Sequence, residues 1–165
     1  ALQYLLDAAW ILREHGKVHF LLVGQGPEKE SLLSFVKANN LTNVSFLPPI
    51  HKTLVPKLLS YMDAFYIGWR RRPLYRFGVS PNKLMDYMMA GKPVIHSIEA
   101  GNDLVAQSKC GISLPPEDAQ AIADGVLRLF QMTPEQRAMM GRKGRDYARA
   151  NHDYSVLAAR FLEAL

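Results

Sequence analysis

A doubly wound, Rossmann-like α/β domain, one parallel sheet with helices on both faces, is the architecture this sequence predicts. Three observations predict it. Five short runs with β-branched or aromatic members recur at 18–23 (VHFLLV), 44–47 (VSFL), 64–69 (AFYIGW), 94–97 (VIHS) and 111–114 (GISL). Helical spacing of apolar residues separates each run from the next, so strands and helices alternate throughout. That alternation calls for parallel strands joined by right-handed crossovers.

Taken in order, residues 1–15 spell an amphipathic helix (Leu2, Leu5, Leu6, Ala9, Trp10, Leu12) ending at His15-Gly16. Glycine is the usual stop. After the first strand, Gly24-Gln25-Gly26-Pro27 opens a helix over 28–37, with Glu28 and Glu30 near its positive end. The second strand closes on Pro48-Pro49. A short helix over 53–61 must hold Pro56 in its first turn, because proline has no N–H to give an interior turn. After the third strand comes a polar loop, 70–80, carrying Arg70, Arg71, Arg72 and Arg76. Next is FGVSPNKLMDYMMAGKPVI, residues 77–95: a loop, a helix begun by Pro81, a Gly91 stop and the fourth strand. A helix over 101–108 is capped by Asn102 or the turn before it. The fifth strand precedes a helix over 117–132 with Ile122, Val126, Leu127 and Phe130 inward. Thr133-Pro134-Glu135 starts a helix running to about 150, with Thr133 as cap. A last helix covers 155–165.

The 165 residues suit one domain, and 48% hydrophobic content suits a packed core rather than disorder. A formal charge of +5 and a pI of about 9.4 favour an anionic partner without choosing among nucleotide, lipid surface and nucleic acid. Nucleic acid fits poorly, because no aromatic platforms interleave the basic residues. One cysteine, Cys110, excludes an internal disulfide and reads as a buried strand-end residue. No apolar run reaches the ~18 residues of a membrane span. His/Cys/Asp residues show no metal-ligand spacing, and no metal cofactor is expected. Ala1 opens directly into a helix with no strand before it, so the chain is expected to be part of a larger protein.

Ligands of open parallel sheets bind beyond the carboxyl ends of the strands. Three unusual loops fall there: 24–27, 48–52 and 70–82. In the third, the Gly/Ser loop feeding a helix at Ser80, Asn82 and Lys83 offers free N–H donors and partial positive charge, which suits phosphate. Lys83 adds a full charge. Asp86 lies on the helix face of Asn82, one turn on, placed to accept ribose hydroxyls; otherwise it is a surface acid paired with a cation. Asn82 alternatively caps the helix. An arginine of the loop, Arg76 among them, either meets diphosphate or stays solvated or against anionic lipid. Tyr75 and Phe77 stack on a ligand or, more simply, join the core. Gly24 and Gly26 let backbone approach a ligand or merely make a strand-to-helix turn. Asp103 decorates a helix start, His96 is a satisfied core residue, and Met85, Met88 and Met89 fill core.

GQGP, SPNKLMDYMMAGKPVI and GISLPPED together resemble family 4 retaining glycosyltransferases, in the branch that builds bacterial cell-surface polysaccharides. The resemblance covers about 18–122 and implies one half of a GT-B fold, the donor-binding half. It implies that Gly24 and Gly26 line a nucleotide pocket, that backbone around Pro49 and Ile50 meets the base, and that Asp86 stands at the family's second acidic position. The first such position falls at Gly78. Catalytic residues stay unassigned. Also implied are a nucleotide-diphosphate sugar as substrate, an N-terminal acceptor domain as partner, and a cytoplasmic location with peripheral contact at the inner membrane face. The isolated fragment is expected to be inactive. A non-catalytic module on the same fold is the alternative, motivated by Gly78 and the basic loop.

Overall fold

The computed structural model describes residues 1–163. Strands β1 (Phe20–Val23), β2 (Val44–Leu47), β3 (Phe65–Gly68), β4 (Val94–Ser97) and β5 (Gly111–Leu114) lie within the five predicted runs. Helices α1 (Leu2–Ile11), α2 (Lys29–Ala38), α3 (Val55–Ser60), α4 (Asn82–Ala90), α5 (Leu104–Ser108), α6 (Ala119–Gln131), α7 (Pro134–His152) and α8 (Tyr154–Glu163) follow in alternation. The predicted last two residues of α8 lie outside the described residues.

All strand pairings are parallel. The single predicted sheet is corrected to two: β1–β2, and β3–β4–β5 with β4 in the middle. Backbone direction shows why the pairing stops there. The N–H groups of Phe20 and Gly24 turn towards β2, and those of Phe65 and Trp69 towards β4. By strand alternation, Leu21 and Val23 on β1, and Tyr66 and Gly68 on β3, turn to edges that carry no ladder. β4, paired on both sides, buries all four residues, whereas β1 and β3 bury one each.

Helices cover both faces. Successive residues of β4 serve opposite sides: Val94 packs with Leu84, Met88, Val105, Cys110 and Ala148 under α4, α5 and α7, while Ile95 packs with Ile112 and Leu129 under α6. A third cluster, with Leu6, Ala9, Leu32, Phe20 and Ile122, joins α1, α2 and α6 over β1 and β2. Tyr66 and Leu114 touch both this cluster and the α6 side of β4.

Several expectations are corrected. α1 stops at Ile11, four residues early, as Leu12 takes a non-helical conformation. Pro81 sits at the N-cap of α4 rather than inside its first turn. Asp103, not Asn102, caps α5, accepting from Val105 N and Ala106 N, and the helix starts at Leu104. On α6 the buried face is Ile122, Ala123, Gly125 and Leu129. Phe130, one step round the helix, stands 42% exposed and edge-on to His15. Met89 is likewise half exposed, while Met88 is buried as expected. Gly91 ends α4 at φ 69°, the left-handed stop predicted for it. Thr133 caps α7 in a reciprocal pair with Gln136, one better than the cap predicted. Pro56 stands at the start of α3, where a short 3-10 turn over Lys52–Leu54 precedes it.

Candidate functional site

At the carboxyl ends of β3 and β4 the chain builds a basic corner. The loop after β3 contains a 3-10 helix, Pro73–Phe77. Four bonds tie it to β4 and the loop that follows. The Tyr75 carbonyl accepts from Gly101 N at 2.9 Å, and the Asn102 side chain accepts from Val79 N at 2.7 Å and donates to Val79 O at 2.9 Å. Trp69 Nε1 donates to His96 Nε2 at 3.2 Å. Asn102 therefore works as a clamp, not as the predicted cap.

Between these loops opens a cleft of about 420 Å³, lined by Arg76, Phe77, Gly78, Val79, Ser80, Gly101 and Asn102. A second, of about 540 Å³, adjoins it through Arg76 and Gly101 and adds Arg71, Arg72 and Glu99. Gly78 takes φ +100°, a conformation that side chains resist, and a Cβ there would meet Asn102 Oδ1 at 3.1 Å. An acid at this position would have to displace that clamp.

The arginines divide in two. Arg70 pairs with Glu28 at 2.9 Å, and Arg71 with Glu99 at 3.4 Å. Arg72 and Arg76 have no carboxylate partner among the described residues; Arg76 lies over the Phe77 ring at 4.6 Å. Phe77 is 76% exposed, which corrects its expected place in the core, and Tyr75 rests edge-on against Trp69.

Behind Ser80, α4 begins without a side-chain cap, whereas α5, α6 and α7 are capped by Asp103, Asp118 and Thr133. Pro81 at the N-cap has no N–H, and Leu84 N reaches Pro81 O. Asn82 N and Lys83 N thus have no acceptor within the helix, at its positive end. The side chains of Asn82, Lys83 and Asp86 are exposed. Of the predicted diphosphate residues, Arg76 and Ser80 line the first cleft; Asn82 and Lys83, with Asp86 predicted for the ribose, stand on the adjoining helix and do not line it.

The loop after β1 is drawn towards this corner by Arg70–Glu28, since Glu28 stands at the N-cap of α2. Gly24 takes φ +133° and its carbonyl accepts from Lys29 Nζ at 2.8 Å. Gly24, Gly26, Pro49 and Ile50 line neither cleft.

Sequence reasoning missed the His96–Asp103 pair. His96 is buried as expected, and its Nδ1 lies 2.9 Å from Asp103 Oδ1. Burial would raise the Asp103 carboxyl, but hydrogen bonds from His96, Ser113 and the Ala106 backbone outweigh it and hold it at about 2. A histidine ending an apolar strand with an acid seven residues on was the available signal. Among the described residues, no three His, Cys, Asp or Glu side chains gather as a metal site, and no helix is long and apolar enough to cross a membrane.

Known proteins share this fold. Sucrose-phosphate synthase from Thermosynechococcus elongatus superposes with a TM-score of 0.80 at 23% identity, over 98% of this chain and 40% of that one. Anabaena Alr3699/HepE, solved with UDP and glucose, gives 0.79 at 20% identity, over 98% and 43%. These likenesses establish the fold as the Rossmann-like half of a GT-B architecture. The putative colanic acid biosynthesis glycosyltransferase WcaL of Escherichia coli is 25% identical over 155 residues, 91% of this chain and 37% of that protein. The chain therefore spans well under half the length of the relatives it matches. Residues 1–132 match the family described as glycosyl transferases group 1, and the chain belongs to that family.

Proposed function

We propose that this chain is the donor-binding domain of a retaining glycosyltransferase that moves a sugar from a nucleotide-diphosphate sugar to a glycan or lipid-linked acceptor. The observation that carries the reading is the uncapped start of α4, opening beside a cleft lined by Arg76 and Ser80. Departure of a nucleotide diphosphate builds negative charge on the leaving oxygens, and fixed cations and helix-end N–H groups stabilise it without reorganising. We assign the diphosphate to Ser80, Asn82, Lys83 and Arg76, the ribose to Asp86, and the base to backbone around Gly24, Gly26, Pro49 and Ile50. This reading gives the diphosphate's charge to protein groups rather than to a metal cofactor.

The open edges of β1 and β3 support one further assignment. A further parallel strand between them would join the two sheets and create the point where strand order reverses, which marks the ligand crevice of such folds. An N-terminal domain would then supply the acceptor side. Work on polysaccharide or lipopolysaccharide precursors in the cytoplasm, with peripheral contact at the inner membrane face, follows from this reading. The exposed Leu74, Phe77 and arginines of the loop suit that contact.

Calorimetric titration of the intact protein with UDP- and GDP-sugars tests the proposal. Lys83→Ala should weaken binding roughly ten-fold or more, the loss of one charge-assisted contact, and Asp86→Ala a similar amount. Unchanged affinity in both variants would refute the assignment.

A further inference from the structure

We infer that His96 is a positioning residue, which in its Nδ1-protonated neutral form holds Trp69 and, through it, the arginine-bearing loop. The tautomer follows from donor inventory. Indole Nε1 can only donate, so His96 Nε2, 3.2 Å away, must present its lone pair. The ring proton then sits on Nδ1 and donates to Asp103 Oδ1 at 2.9 Å. Asp103 is itself fixed, accepting from Val105 N at 3.0 Å and Ala106 N at 3.3 Å. A rigid relay thus runs from the start of α5 through Asp103 and His96 to Trp69, with both imidazole nitrogens engaged and the ring 1% exposed.

Trp69 is the first residue of the loop after β3. Its ring meets Tyr75 edge-on at 5.1 Å, and the Tyr75 carbonyl receives Gly101 N and Gly78 N, both at 2.9 Å. Arg70, Arg71 and Arg72 lie between these two anchors, and Arg76 lies just beyond the second. The His96 lone pair therefore holds one end of the loop, and the Gly101 amide the other. Moving the ring proton to Nε2 would set two donors face to face and release the Trp69 indole, while its backbone N–H stays on Ser97 O at 3.0 Å.

The functional consequence rests on the donor-site reading, but the test does not. The loop carries three trypsin sites, since Pro73 protects the bond after Arg72, and native-state cleavage reports its opening. In the intact protein, cuts after Arg70, Arg71 and Arg76 would be timed by mass spectrometry in three variants. Trp69→Phe keeps the ring and removes the donor; His96→Asn keeps a donor for Asp103 and loses the acceptor for Trp69; His96→Gln places an amide oxygen where Nε2 stood. Loss of one neutral hydrogen bond should speed cleavage roughly five-fold in Trp69→Phe and His96→Asn. His96→Gln should return it towards the wild-type rate, and melting temperature should not follow the same order. Wild-type cleavage in Trp69→Phe, or equal rates in the Gln and Asn variants, would overturn the inference. So would a 15N spectrum showing the proton on Nε2 at neutral pH. Absence of nucleotide binding in the wild type would refute the proposed function and leave these outcomes as they stand.

Discussion

Replacing Gly101 by alanine tests whether the basic corner depends on a close approach of two backbones. Gly101 lines both clefts, and a Cβ there would fall under 3.0 Å from the Arg76 carbonyl oxygen and 3.4 Å from Gly78 N. The obstacle is backbone, which cannot swing aside as a side chain can. Loop 70–80 must therefore retreat, and the Gly101 N to Tyr75 O bond stretches or breaks. Overpacking of this kind costs about 1–3 kcal/mol, and the lost hydrogen bond contributes about 1 kcal/mol of it. For a domain of this size each kcal/mol lowers the melting temperature by about 2–4 °C. Calorimetry should show a drop within a few times that range. Because Arg76 moves with the loop, nucleotide-sugar affinity should fall by about ten-fold, equivalent to roughly 1.4 kcal/mol. A variant that melts and binds like the wild type would show that the two loops are not in register as described, and the reasoning from the corner would fail.

Further outcomes follow from the same coordinates. Asp103 has a folded pKa of about 2, below the ordinary aspartate value of 3.8, so its stabilisation is present above about pH 4 and is lost as pH falls through 2. That shift corresponds to about 2 kcal/mol, and Asp103→Asn should flatten the acid limb of a denaturant-titration series by that amount. Gly141 on α7 has no room either: a Cβ would press on the carbonyl of Gly91 at the end of α4. Gly141→Ala should cost about 1–3 kcal/mol in chemical denaturation, at the upper end because backbone opposes backbone. Thr133→Ala, which removes the hydroxyl half of the α7 capping box, should cost about 1 kcal/mol.

Much of the fold was legible because its signals are local. Gly91 announces a left-handed helix stop, Thr133-Pro134 a helix start, and the apolar runs at 44–47, 94–97 and 111–114 match strands residue for residue. What stayed hidden depends on partners distant in sequence. Nothing within β1 or β3 says that one edge of each is left unpaired; only pairing shows it. Phe130 looked inward by periodicity, yet α6 is rotated so that Leu129 takes the buried place and Phe130 meets His15. In the candidate site, Ser80 and Arg76 were found from charge and helix-start chemistry, and the structure sets them in one cleft. Asp103 was read as helix decoration, correctly as far as its cap goes. Its bond to His96 was invisible because a strand end and the turn after β4 had to be superposed first. Asn102 resembled a cap by residue type, but its two bonds to Val79 need a loop arriving from 23 residues away.

The central claim is that an anion binds where the Ser80–Lys83 backbone turns into α4. Amide chemical-shift mapping of the intact protein during titration with UDP measures this most directly. The account predicts saturable, downfield movement of the Asn82 and Lys83 amide protons, as N–H groups with no acceptor within the helix acquire phosphate acceptors. Saturation with those two amides unmoved, while others shift, would contradict it.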